Sequence, residues 1–331
     1  MRKILPKITV KRIFIFLMIN VFLYLTACFV LIFLPIPEKK VIENYDFSSI
    51  KKKSDKIILS EKCSIKAKDG FVIFNRIYRS KSRDVIILIH GSGSESRYLR
   101  HLARSLADSN IASVITPDLR GHGENQGKKG DIDYMGQLES DIEDLISYSK
   151  KQMGAKKIIL AGHSSGGGFV LRFIGNPQNT KVDKAIMLAP YLGHEAITTK
   201  PNSGNWVTVA IKRWVGLSML SRFGITKFDG LPVLFFNRPE AINDKLQVPA
   251  YSYRMAVNFA PKNYKEDIAN IKIPCLVFVG GKDESFYPDQ FKVVFEPVKK
   301  WVKTEVLADA NHLNIVKNQE TFEHIINWMK N

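Results

Sequence analysis

Gly162-His163-Ser164-Ser165-Gly166 places a serine at the centre of a G-x-S-x-G pattern. An apolar run, Ile158-Ile159-Leu160, precedes it, and a helix-like stretch, "GGGFVLRFIG", follows. Between a buried strand and a helix, this pattern reads as a sharp turn with its central residue exposed at the tip. Glycines suit the flanks, because side chains two positions either side of the tip would collide. Ser164 is therefore the expected nucleophile, and Ser165 offers its backbone N–H rather than its hydroxyl. A phosphate-binding loop is the competing reading, but no lysine stands in the Walker position.

A serine hydroxyl is a weak nucleophile until a base takes its proton. The base is expected to be a histidine oriented by a buried carboxylate. Among seven histidines, His312 in "LADANHLNIV" follows the strand-like "TEVLA" and precedes the last helical segment. The carboxylate belongs at the end of the strand before, where "CLVFVGGKDESF" supplies Asp283. Asp309, three residues before His312, is the rival acid. His90 and His122 lie in turns and are expected to hold loop geometry. His163 should pack beneath the nucleophile, and His324 should be partly exposed on the last helix. His194 and Glu195 fall where substrate would sit and are binding candidates. Asp118 is expected to brace the Arg120 loop.

The elements that must position these groups follow from apolar patterning. Residues 63–67 alternate in polarity, and a turn at Lys68-Asp69-Gly70 leads into "FVIFNRIYR", which predicts a half-exposed antiparallel hairpin. Short apolar runs without alternation then recur at 85–89, 111–115, 158–160, 185–188 and 275–279. Strands buried on both faces have that character. Helical segments fall between them, most clearly over 134–152, where Leu138, Ile142, Leu145 and Ile146 share a face. Alternating strand and helix implies an α/β architecture with a mostly parallel sheet covered on both sides. The rhythm breaks over 191–261, a length that predicts an inserted subdomain. Its apolar stretch from Trp206 to Leu220 has three readings: a helix facing an acyl chain, a helix dipping into a bilayer surface, or simple cover for the core.

From about residue 57 to 331 the chain resembles an α/β-hydrolase. It is most similar to the monoacylglycerol lipase and lysophospholipase group, whose pattern is shared with the serine aminopeptidases. The stretch "ILIHGSGSESRYLRHLARSLADSNIASVITPDLRGHGENQG" carries that group's HGxG turn and a segment like DxRGHGxSxG, with Asn125 where serine is common. The resemblance implies that 191–261 acts as a lid after the sixth strand, and that no cofactor takes part; separately, no CxxC or Cys/His cluster suggests a metal. It also implies that the HGxG turn completes an oxyanion hole, whose donors by position are the N–H groups of Ser92 and Ser165. Two fixed donors stabilise the charge on a tetrahedral oxygen, and losing one costs about 10²–10³ in rate.

The first forty residues have a different character. Residues 1–12 carry Arg2, Lys3, Lys7, Lys11 and Arg12 and no acid. An apolar run from Ile13 to Leu34 follows, long enough for a transmembrane helix, and Pro35 and Pro37 end it. The polar stretch 35–56 reads as a linker. The basic flank predicts a cytoplasmic N-terminus with the catalytic domain outside. Leu25-Thr26-Ala27-Cys28 resembles a lipobox, so a cleaved lipoprotein anchored at Cys28 is the alternative. The formal net charge of +17 comes without a nucleic-acid-binding motif. It reads first as a lysine-rich solvated surface, and second as attraction to acidic headgroups. Cys28, Cys63 and Cys275 are too few and too scattered for a disulfide framework.

These readings converge on a membrane-tethered serine hydrolase cleaving a carboxylic ester, with a lysophospholipid or monoacylglycerol favoured as the small-molecule substrate. Two alternatives stand beside it: an aminopeptidase or thioesterase on the same residues, and a non-catalytic module that binds a lipid or a partner.

Overall fold

A computed structural model describes residues 7–40, 42, 45, 60–240 and 244–331. Outside them lie residues 1–6 of the basic segment, most of the expected linker, residues 57–59 of the expected catalytic domain and 241–243 of the expected insertion.

The hairpin forms from β1, Glu61–Lys66, and β2, Val72–Tyr78, paired antiparallel with Glu61 opposite Ile77. β3 (Val85–Ile89), β4 (Ser113–Pro117), β5 (Ile158–His163) and β6 (Lys184–Leu188) follow. They join β10 (Cys275–Gly280) and β11 (Val302–Leu307) in one eight-stranded sheet. Its order is β1-β2-β4-β3-β5-β6-β10-β11, with β2 antiparallel to β4 and every later pairing parallel.

The non-alternating runs are explained by two cores. On one face Val85, Ile87 and Ile89 pack with Leu138, Ile142 and Leu145 of α3 (Gln137–Lys151) and with Phe169 and Phe173 of α4 (Ser165–Gly175). On the other, Ile86 and Leu88 pack with Leu102 and Leu106 of α2 (Arg100–Asp108) and with Phe322 and Ile325 of α9 (Gln319–Lys330). A strand between two apolar layers has no side left for polar residues. The predicted strand at 111–115 lies two residues further on. β4 has to reach β2, and Asn75 faces Pro117 in that register. The missing proline N–H is tolerated at a strand end.

The stretch 191–261 carries β7 (Val207–Val209), α5 (Ile211–Ser221), β8 (Pro232–Phe236), β9 (Ala250–Ser252) and α6 (Tyr253–Asn258). β7, β8 and β9 form a separate antiparallel sheet. α7 (Tyr264–Ala269) and α8 (Pro288–Phe295) complete the helices around the main sheet.

At the N-terminus α1 runs from Lys7 to Phe33 and stops before Pro35. Its stretch Val10–Phe33 is long and apolar enough to cross a membrane. Its side chains are exposed from Ile13 to Leu23, and burial begins at Tyr24. From there α1 lies antiparallel along α5. The Tyr24 hydroxyl donates to the Met219 carbonyl at 3.0 Å, and Arg213 Nε donates to the Ile32 carbonyl at 3.0 Å. Between these bonds the helices meet at Gly216, where a Cβ would come within 2.8 Å of the Cys28 carbonyl and of Ile32.

Candidate active site

The turn from β5 into α4 holds Ser164 at φ 55°, ψ −121°. A non-glycine residue there is strained by roughly 1–3 kcal/mol, and the packing around the turn is what enforces it. A Cβ on Gly162 would stand 2.4 Å from the Gly166 backbone, and one on Gly166 would stand 2.5 Å from the His90 carbonyl. Only glycine lets β5, α4 and the end of β3 approach so closely. Ser164 is thereby lifted to the end of the sheet.

The loops after β10 and β11 bring two more side chains to that end. His312 Nε2 lies 3.0 Å from Ser164 Oγ, and His312 Nδ1 lies 2.9 Å from Asp283 Oδ2. The other carboxylate oxygen, Oδ1, accepts from the N–H groups of Ser285 and Phe286 at 2.8 and 2.9 Å. Asp283 is thus fully buried, anchored on one side and aimed at the imidazole on the other. That partner fixes the tautomer: Nδ1 carries the proton, and Nε2 is free to accept the serine's. Burial works against protonation of His312, but the charge and hydrogen bond of Asp283, with Glu284 nearby, raise its pKa above the usual histidine value.

Three hydrogen-bonded relays stiffen this constellation. His163 Nε2 donates to the His312 carbonyl at 2.8 Å, and Nδ1 accepts from the Tyr98 hydroxyl at 2.9 Å. The same hydroxyl accepts from the Gly91 N–H at 2.6 Å. In parallel, the Gly93 N–H donates to the Tyr251 hydroxyl at 2.7 Å, and Tyr251 donates to His122 Nε2 at 2.6 Å. His90 Nε2 accepts from the Leu119 N–H at 3.1 Å. Each of these imidazoles is neutral. Burial lowers the pKa of His90, and burial, with the repulsion that a protonated His90 would exert, lowers that of His122. Burial and then the neighbouring His312 push His163 down to about 3.

The two tyrosines leave one group of the 90–93 turn free. The N–H groups on either side of Ser92 are taken, while the Ser92 N–H has no acceptor among the described residues. The Ser165 N–H opens α4, and first-turn N–H groups have no partner within the helix. Two donors therefore flank Ser164 from β3 and from α4. Such an array can bind an oxygen that gains charge.

The remaining candidates separate cleanly. Asp309 turns away to Lys282 at 2.7 Å, leaving Asp283 as the partner of His312. His194 and Glu195 face solvent, 3.6 Å from each other. His324 pairs with Glu305 on β11. Asp118 braces the loop that holds Arg120. It accepts from the N–H groups of Ser96 and Glu124, both at 2.8 Å, while the Arg120 guanidinium reaches Asp141 and Asp69. Cys28, Cys63 and Cys275 are all unpaired.

Two aromatic groups near the site carry no signal in the spacing. Trp206, from the insertion, donates through Nε1 to Ser92 Oγ at 3.1 Å. Tyr45, from the stretch after α1, sets its ring edge-on to His312 at 6.0 Å and meets the Ser285 hydroxyl. Both lie far along the chain from the groups they touch.

The family model described as serine aminopeptidase, S33, matches residues 80–315. An uncharacterized 31.7 kDa protein from the traX-finO intergenic region of Escherichia coli is 27% identical over 247 residues, covering 70% of this chain and 84% of that protein. Among solved structures, a soluble variant of monoglyceride lipase from Saccharomyces cerevisiae aligns with a TM-score of 0.64 at 17% identity, over 84% of this chain and 95% of that one. The monoacylglycerol lipase of Paleococcus ferrophilus aligns with a TM-score of 0.58 at 21% identity, over 78% and 98%.

Proposed function

This chain belongs to the serine aminopeptidase S33 family and has the α/β-hydrolase fold, and from that premise we propose that it is a membrane-tethered serine hydrolase of carboxylic esters. Ser164 Oγ attacks the ester carbonyl as its proton passes to His312 Nε2. Asp283 stabilises the imidazolium, and the N–H groups of Ser92 and Ser165 hold the tetrahedral oxygen. His312 then protonates the departing alkoxide, leaving an acyl group on Ser164. Water, deprotonated by His312, attacks that acyl group, and the free acid leaves as Ser164 regains its proton. The observation that carries this reading is the continuous line Ser164–His312–Asp283, with distances of 3.0 and 2.9 Å.

A lysophospholipid or monoacylglycerol is the proposed substrate. The long apolar N-terminal helix supports a lipid, as do the aromatic groups of the insertion beside Ser92. The names of the structural neighbours point the same way. The helix runs unbroken through Cys28 to Phe33 and packs on the domain, which supports an uncleaved anchor over a lipoprotein. The basic flank supports a cytoplasmic N-terminus. The insertion is proposed to act as a lid.

The test is turnover of p-nitrophenyl butyrate and of monoacylglycerol by the purified full-length protein and its Ser164→Ala form, with fluorophosphonate labelling of both. Labelling and turnover should vanish together in Ser164→Ala. Turnover retained by that variant would overturn the mechanism. The family description favours a second reading, amide hydrolysis on the same groups. A panel of acyl esters, thioesters and aminoacyl amides separates the two by relative kcat/KM.

A further inference from the structure

The contact between α1 and α5 sets how the domain stands on a bilayer. Residues 24, 28 and 32 of α1 meet residues 219, 216 and 213 of α5 in order. The connection after α5 returns beside α1, with Phe228 edge-on to Phe29 at 5.4 Å. Its far end is the turn Arg222–Lys227. There Phe223 lies edge-on to Tyr24 at 5.3 Å while remaining 72% exposed, and Ile225 is 38% exposed. Arg222 and Lys227 flank this apolar tip and are both exposed.

The length of α1 now becomes decisive. The membrane-crossing stretch begins at Val10, and from Tyr24 onward one face of α1 lies against protein while Phe29, Val30 and Phe33 stay exposed. The part with no protein beside it, Val10 to Leu23, reaches about 21 Å at about 1.5 Å per residue. A hydrocarbon core is about 30 Å thick. With the domain resting outside the headgroups, α1 falls short by about a third of the core. Burying the tip closes that gap, because interfacial segments sink about 5–10 Å into the headgroup and acyl boundary. The flanking cations limit the depth. Charges are costly in hydrocarbon, so Arg222 and Lys227 hold their heads at the level of the phosphates.

We propose that the tip Phe223–Gly224–Ile225 is embedded in the bilayer leaflet nearest the catalytic domain, with Arg222 and Lys227 at its headgroups. α1 and α5 then act as one two-helix mount sealed at Gly216. The domain is fixed at one depth and orientation by this mount. The inference rests on the membrane tether proposed above.

The test uses full-length protein in vesicles of phosphatidylcholine and phosphatidylglycerol. Phe223→Cys is labelled with an environment-sensitive fluorophore in a Cys63→Ser background, where Cys28 and Cys275 are buried. The expected result is that phosphatidylcholine bearing a nitroxide on its upper acyl chain removes most of the emission, while aqueous iodide removes little. A label at the exposed Val293 of α8, introduced as Val293→Cys, should behave oppositely. Adding Gly216→Leu forces the helices apart, so the tip label should become iodide-accessible while the protein still floats with vesicles. Iodide quenching of the tip label in floating protein that carries Gly216 would overturn the mount and leave the tether standing. Failure to float would overturn both. Ester turnover on the same samples reports the catalytic reading independently.

Discussion

The imidazole of His163 donates a hydrogen bond to the main-chain carbonyl of His312 at 2.8 Å. The residue before the nucleophile thus holds the loop that carries the base. Tyr98 extends the connection to Gly91, so one relay ties together the three loops from which attack, proton transfer and oxyanion binding would come.

His163→Gln keeps an amide donor for that carbonyl, whereas His163→Phe keeps only the ring's bulk. A lost hydrogen bond of about 0.5–1.5 kcal/mol, propagated to a misplaced base, should cost His163→Phe about tenfold or more in kcat with KM little changed. His163→Gln should recover most of it. Equal losses in the two variants, by steady-state kinetics on a short ester, would remove the positioning role.

The raised pKa of His312 sets the pH profile. The imidazole must be neutral to accept the serine's proton, so activity is present above its pKa and lost as pH falls through it. The kcat/KM of p-nitrophenyl butyrate should therefore rise with pH along a limb centred above the ordinary histidine value. Asp283→Asn removes the charge that lifts this pKa. The limb should move to lower pH, with kcat down by about 10⁴. An unmoved limb would assign the titration to another group.

Gly166→Ala tests the strained turn. The new methyl group would press on the backbone carbonyls of His90 and Ile89 at 2.5 and 2.6 Å, which cannot swing aside. Overpacking of this kind costs about 1–3 kcal/mol, visible as a drop of several degrees in Tm. Gly167→Ala, whose methyl group meets Pro190 Cβ at 3.0 Å, should cost less. Equal Tm values for the two variants would contradict the packing argument.

Trp206→Phe removes the donor to Ser92 Oγ and keeps an aromatic wall. The loss should appear in kcat, up to about tenfold for one hydrogen bond. Trp206→Ala should in addition alter the preferred acyl length across p-nitrophenyl esters. An unchanged chain-length profile would place the acyl group away from this indole.

Much of the scaffold is legible in the sequence, because short non-alternating apolar runs have few uses other than strands between two layers. The meeting of Ser164, Asp283 and His312 is foreshadowed by where each follows a strand. Boundaries are less legible. β4 runs two residues beyond the apolar stretch that announces it, since pairing with β2, not hydropathy, decides where it ends. Tyr98, Tyr251, Trp206 and Tyr45 leave no local trace. Tyr251 reaches Gly93 across 158 residues, and Trp206 reaches Ser92 across 114, so no spacing rule joins them. The dual character of α1 is hidden for another reason. A helix that is apolar all round does not reveal that Tyr24, Cys28 and Ile32 are the face that meets protein.

β10 pairs directly with β6, Cys275 beside Ala185. The chain that leaves the sheet after Leu188 therefore returns one strand over, and none of the described residues from Tyr191 to Pro261 joins the eight-stranded sheet. The ladder of the main sheet is thus independent of that stretch, but the turn beside Ser164 is not: Tyr251 and Trp206 reach out of it to Gly93 and Ser92. Exchanging it for a foreign segment would leave every rung in place and still loosen the 90–93 turn, unless both aromatic groups were carried over.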